Sequence, residues 1–270
     1  MTARRISLTL SLLLTVALTS ATAAERFSFG IVPQQAASQL AQGWAPVLSY
    51  LSAEAGITLA FATAPDIPTF ESRLSQGQYD FAYMNPYHYT VFHEKPGYAA
   101  IAKERNKQIQ GIIVVRSDSL IQSVRELDGK DMAFPSPAAF AATILPLAEL
   151  KRQGITVIPR FVSSHDSVYL NVVRGLASAG GGIKRTLSVF DPAQAGQLRV
   201  LSTTTPYTPH AIAAHPRVPV EILNRVTAAM MHLDADPAAK PLLDTLGFKG
   251  IEPASDADWD DVRALEIDLL

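Results

Sequence analysis

Between residues 79 and 89 the chain reads YDFAYMNPYHY, a strand that must stop and a helix that must start within three residues. Tyr79 to Tyr83 is short, aromatic and apolar, the pattern of a strand, with an inward-facing acid, Asp80, near its start. Pro86 then sets a helical φ and lacks the N–H that a first helical turn leaves unpaired, so it opens a helix. The strand's carboxyl end, the free amides of the next helix and several tyrosine hydroxyls thus meet at one point. Ligands settle at such strand ends in open α/β sheets, and helix N-termini favour anions. A plain βα turn with aromatic core packing is the other reading of these residues.

The same alternation runs along the rest of the chain. Arg26 to Val32 reads as strand; Leu40, Trp44, Val47, Leu48 and Leu51 then recur at helical spacing. Strands are expected over 57–62, 99–102 and 109–115, and a helix over 67–76. A second series follows: strand 132–134, helix 138–152, strand 156–161, and a helix with Val168, Tyr169, Val172, Val173 and Leu176 on one side. Strands near 177–180, 198–202 and 211–214 and three closing helices complete it, the last with a capping-box-like Ser255 and Asp258. Repeated βαβ units imply mostly parallel sheets flanked by helices.

Two polar stretches interrupt this order. KERNKQIQ at 103–110 leads out of the first series, and STTTPYTP at 202–209 leads back. Two crossings imply two lobes, a double-stranded hinge and a cleft. Residues 25–107 with 205–270 form lobe I, and 108–204 form lobe II. One continuous domain with polar loops is the alternative.

Residues 1–24 combine Arg4 and Arg5, an apolar run over 6–17 and the small-residue site Ala21-Thr22-Ala23, the pattern of a signal peptide cleaved near Ala23 or Ala24. A retained anchor is the alternative. The chain has no cysteine, which removes disulfides, thiolate metal sites and cysteine nucleophiles. Export without a lipid-bearing cysteine points to a free protein of a bacterial periplasm. A net charge of −2 offers no broad basic field for nucleic acid.

In order along the chain, the Pro33 loop, WAPVLSYLSAEAG, YDFAYMNPYHY, ELDGKDMAF, Ser164-His165-Asp166, SVFDP, LSTTTPYTPHAI and ADPAAKPLLDTLGFKG resemble the phosphate/phosphite/phosphonate-binding family of periplasmic solute-binding proteins. The resemblance implies the type II two-lobed fold. It implies closure around a small oxyanion and delivery to an ABC-transporter permease, or, alternatively, presentation to a membrane sensor kinase or cyclase. One position departs: where the family has a Ser-Thr-Ser-Gly stretch opening a helix, this chain has Ala139-Phe140-Ala141-Ala142.

The candidate ligand-binding residues follow. Gln34 and Gln35 come after the first strand, and Tyr83, Asn85 and Tyr87 lie at the third strand's end. Phe140 is an apolar wall and His165 a donor, although a histidine there also reads as part of a helix start. Arg185 follows Gly180-Gly181-Gly182; glycines there permit either close approach of backbone to a ligand or a hinge beside solvated Lys184 and Arg185. His88 and His93 read as helix-surface residues, and His210 belongs to no constellation. There is no nucleophile elbow, no His-Glu-x-x-His and no zinc spacing. Neighbouring Ser164, His165 and Asp166 cannot face one another as a triad. The expectation is a monomeric binding protein with no cofactor or metal, taking a small anion in which phosphate itself binds weakly.

Overall fold

In the computed structural model, residues 25–270 are described; the proposed leader and its cleavage site lie outside them. β1 (Arg26–Ile31), α1 (Ala37–Ala55), β2 (Thr58–Ala62), α2 (Ile67–Ser75), β3 (Phe81–Met84) and α3 (Pro86–Glu94) alternate as expected. The predicted stripe of α1 is the buried one: Leu40, Trp44, Val47, Leu48 and Leu51 face the sheet. Each such side chain contributes roughly 1.5–3 kcal/mol by burial. Gly56, at φ 62°, ends the helix in the left-handed conformation. Parallel pairing sets Phe29 opposite Phe81, whose rings stack.

β4 (Ala99–Glu104), β10 (Ala211–Ala214) and β11 (Ile251–Pro253) complete a six-stranded sheet in the order β11-β4-β10-β3-β1-β2. The second sheet contains β5 (Ile112–Arg116), β6 (Asp131–Phe134), β7 (Ile158–Phe161), β8 (Ala179–Gly182) and β9 (Leu198–Thr203), ordered β7-β6-β8-β5-β9. Its two faces are covered by separate clusters. Ile112 and Val114 pack against Val168, Tyr169 and Val172 of α5 (His165–Val173), while Ile113 and Val115 pack with Phe134 and Leu150 on the other face. Leu150 belongs to α4 (Leu145–Arg152). Leu176, expected on the buried side of α5, is instead 60% exposed.

Both sheets are mixed rather than mostly parallel. β1 pairs parallel with β2 and β3, and β6 with β7 and β8, but β10, β4, β11, β5 and β9 pair antiparallel. The physical reason is the crossing itself: β5 and β10 begin where the chain has just changed sheets, so neither arrives through a βαβ unit. The crossings also pair with each other. Ile109 and Tyr207 exchange backbone hydrogen bonds of 2.7 and 2.9 Å, and Thr204 bonds Gly111 through both backbone and hydroxyl.

The tail packs on the helices and strands of the first sheet. α8 (Val220–Ala235) and α9 (Lys240–Leu246) cover α1, and a capped turn at Asp256–Trp259 leads into α10 (Asp260–Arg263). Ser255 and Asp258 form the expected capping box. The indole of the fully buried Trp259 donates to Pro209 O at 2.9 Å, anchoring the second crossing. Two short helices, α6 (Lys184–Ser188) and α7 (Pro192–Ala195), follow β8, and only the second was missed in the sequence. Among the described residues no helix is long and apolar enough to cross a membrane.

Candidate ligand-binding site

A cavity of about 290 Å³ lies between the sheets, lined by Gln34, Tyr83 and His210 on one side, Ile183, Lys184 and Arg185 on the other, and Glu104 and residues 107–110 of the first crossing. Tyr83 is placed by β3 and backed by Trp44, ring centroids 4.9 Å apart. Strand alternation sends Lys103 outward to Asp258, at 2.9 Å, and turns Glu104 into the cavity. Burial raises the Glu104 carboxyl above the usual range, against the opposing pull of Lys107, Arg185 and Lys249. Lys184 and Arg185 open α6, exposed on the cavity's solvent side.

A second, smaller niche of about 10 Å³ adjoins it, sharing Gln34, Ala141, Ile183 and His210 and adding Asn85, His165 and Ala139 to Ala142. Its size suits about one water molecule. The helix expected from residue 138 starts here with a wide turn, Phe140–Ile144, bonded five residues apart, before α4 proper. Such π turns concentrate at functional sites. The amides of Phe140, Ala141 and Ala142 donate to no backbone acceptor. His165 is buried and its Nδ1 has no partner; burial lowers its pKa to about 4, so the ring is neutral at pH 7.

Asn85 spans the cleft. Its Oδ1 caps α3 by accepting from His88 N at 2.8 Å, and its Nδ2 donates to Ala138 O, between β6 and α4, at 3.1 Å. Phe140 packs edge-on to Tyr207, centroids 5.9 Å apart, so the core around the first sheet continues into Ala138, Phe140 and Ala141.

Gln34, Tyr83, Asn85, Phe140, His165 and Arg185 therefore converge on the cleft. Tyr87 does not: its hydroxyl accepts from the amides of Leu269 and Leu270 at 2.8 and 3.0 Å, on the side of α3 away from the cavity. A residue two positions after the strand end is turned by the helix, and the short aromatic run concealed this. Gln35 lines a separate outer groove of about 360 Å³ with Trp44, joined to the cleft through Arg185. Asp80 sits at the opposite end of β3. Its burial would raise its pKa, but Ser28 and Arg217, each bonded to it at 2.7 Å, hold it below the usual range.

The glycine run answers to packing. A Cβ on Gly180 would strike Val168 and Val172, one on Gly182 would strike Tyr169, and one on Gly181 would overlap Ala142 O. These glycines let α5 and the wide turn seat on β8. His88 is a core residue, not a surface one: fully buried, its Nε2 donates to the Glu71 carboxylate at 3.0 Å. His210, Glu104 and Lys107 were missed, since His210 is far in sequence from the other two and only the two crossings bring it to them.

Residues 29–259 match the family described as ABC transporter, phosphonate, periplasmic substrate-binding protein. The chain belongs to this family. The phosphate-import protein PhnD of Mycolicibacterium smegmatis is 22% identical over 273 residues, covering 88% of this chain and 84% of that one. A binding-protein component of an ABC phosphonate transporter from Pseudomonas aeruginosa superposes with a TM-score of 0.82 at 16% identity, over 90% of this chain and 86% of that one. PhnD1 from Prochlorococcus marinus, solved in complex with methylphosphonate, gives 0.81 at 16% identity, over 89% and 97%. Within this substrate-binding family, the wide turn with alanines at 139, 141 and 142 is the feature that separates the present cleft from the expected hydroxyl-lined one.

Proposed function

We propose that this member of the phosphonate-binding family captures a small organic phosphonate or phosphate ester in the larger cavity and delivers it to an ABC-transporter permease. The observation that carries this reading is the convergence of Lys107, Lys184 and Arg185 with Gln34, Tyr83 and His210 around one space. Its volume, about 290 Å³, stands at the lower end of organic-ligand pockets, roughly 300 Å³ and upward. Arginine and lysine take over the charge recognition that a serine-threonine cradle would supply, at about 1.5–3 kcal/mol per charge-assisted bond. The phosphate-import name of one relative and the methylphosphonate complex of another support the chemical class.

In this reading lobe I comprises residues 25–107 and 205–270, lobe II comprises 108–204, and the paired segments at 109–111 and 204–207 flex as the lobes close. Residues 1–24 act as a signal peptide, and the mature protein works as a monomer that releases its ligand unchanged. Calorimetric titration of the mature protein with methylphosphonate, phosphate and phosphite tests the assignment. Arg185→Ala and Lys107→Ala are expected to weaken the best of these by about tenfold each. Binding of carboxylates or sulfonates in place of every phosphorus oxyanion overturns the ligand class. Unchanged affinity in both variants overturns the site.

A further inference from the structure

The pairing register of the first sheet brings one more cation to the mouth of the cavity. β11 runs antiparallel to β4 with Ile251 opposite Glu104, and the Arg105 N–H donates to Gly250 O at 2.9 Å. Continuing that register sets Lys249 level with Asn106 of the first crossing, one step from Lys107. Phe248 anchors this loop, its ring 5.8 Å from Tyr83 and 5.9 Å from Trp44. A methyl on Gly250 would strike Arg105 and Asp234, so the loop is closely seated. The backbone N–H of Lys249 is engaged by the Glu104 carboxylate, while the residue itself is exposed.

Lys249 is not part of the cavity's lining, whereas Lys107, Lys184 and Arg185 are. Among the described residues Lys184, Arg185 and Lys249 form no salt bridge, and Lys107 has only Glu104, at 3.9 Å. Four cations thus gather at one opening in a chain whose formal net charge is −2. Such a local field concentrates anions at a cleft and raises their rate of entry. Its reach is about 30 Å in 0.01 M salt and about 8 Å at 0.15 M. A charge that never touches the bound ligand acts on the encounter, because its pull is already felt before the ligand docks.

Resting on the anionic ligand proposed above, we infer that Lys249 is a steering residue. From outside the cavity its ammonium draws the incoming anion to the mouth and sets the association rate. Lys107 and Arg185, inside, set how long the ligand stays.

The test is stopped-flow mixing of the mature protein with methylphosphonate, read on tryptophan fluorescence, since Trp44 lies against Tyr83. Should that signal be silent, ³¹P exchange gives the dissociation rate and calorimetry the Kd, and their ratio gives the association rate. Lys249→Gln is expected to slow association about threefold in roughly 10 mM salt and to have no effect at roughly 300 mM, with dissociation unchanged at both. Lys151→Gln, an exposed lysine at the end of α4 that lines no cavity, is the control and should change neither rate. A structural defect in the Lys249 loop would instead speed dissociation at every salt concentration. An unchanged association rate in Lys249→Gln, a loss that persists at high salt, or an equal loss in Lys151→Gln overturns the steering role alone. If neither methylphosphonate, phosphate nor phosphite binds the wild type, the ligand reading falls, and this inference with it.

Discussion

The imidazole of His210 lies flat on the phenol of Tyr83, ring centroids 4.8 Å apart and planes 15° apart. Its Nε2 is 3.0 Å from the Gln34 amide nitrogen, and it accepts that N–H, which leaves the proton on Nδ1. Two residues separated in sequence by every strand of the second sheet thus make one floor for the cleft, with Trp44 beneath Tyr83.

This floor makes stability pH-dependent. Burial holds His210 near pKa 3 and His165 near 4, whereas an unfolded histidine titrates near 6.5. Between those values the unfolded chain takes up protons that the folded chain refuses, so the contribution is complete above about pH 6.5 and is lost as pH falls toward 4. The raised carboxyl of Glu104 works in the opposite direction. Urea unfolding at pH 7 and pH 5 is expected to show a larger loss in wild type than in His210→Gln. Equal losses would count against a buried neutral imidazole.

Gly181→Ala should destabilise the protein by roughly 1–3 kcal/mol or more, because its new methyl overlaps Ala142 O. Gly196→Ala is the control: it has normal helical dihedrals, and its nearest neighbour would be at 3.5 Å. Thermal unfolding of both variants decides whether the glycine run serves packing. Similar melting temperatures would return it to a hinge.

The outline of the fold was readable because its signals are local. Leu40 to Leu51 mark one helix face, Pro86 and Asn85 mark a helix start, and the apolar runs mark strands. The strands β4, β5, β9 and β10 were anticipated, but their antiparallel direction and β11 itself escaped notice, since pairing direction depends on where a chain re-enters a sheet. The site was half readable. Tyr83, Asn85 and His165 follow from strand ends and helix starts, but Glu104, Lys107 and His210 meet only through the crossings. Tyr87 was misplaced because helical rotation, not sequence proximity, aims a side chain.

Tyr87→Phe is therefore expected to leave phosphonate affinity within about twofold. Its hydroxyl is committed to the amides of Leu269 and Leu270. Faster hydrogen exchange at those two amides is the expected change, and a large loss of affinity would restore Tyr87 to the site.

Asn85→Asp keeps the oxygen that caps α3 and removes the amide that reaches Ala138 O. It should retain the fold yet hold the lobes together less firmly. Small-angle scattering at saturating ligand is expected to show a smaller radius of gyration for wild type than for the variant. Matching profiles would mean that Asn85 does not latch the cleft.

The wide turn at Phe140–Ile144 has a consequence for how this cleft can diversify. Ala141 O and Ala142 O press against Gly111 and Gly181, positions where any side chain collides with them. A side chain at either glycine would therefore have to reseat the turn. Lys107, Lys184 and Arg185 stand on exposed segments that bear exchange freely. Evolvability in this cleft is divided: one wall is a joint that resists drift, and the opposite wall is where a new ligand preference is acquired.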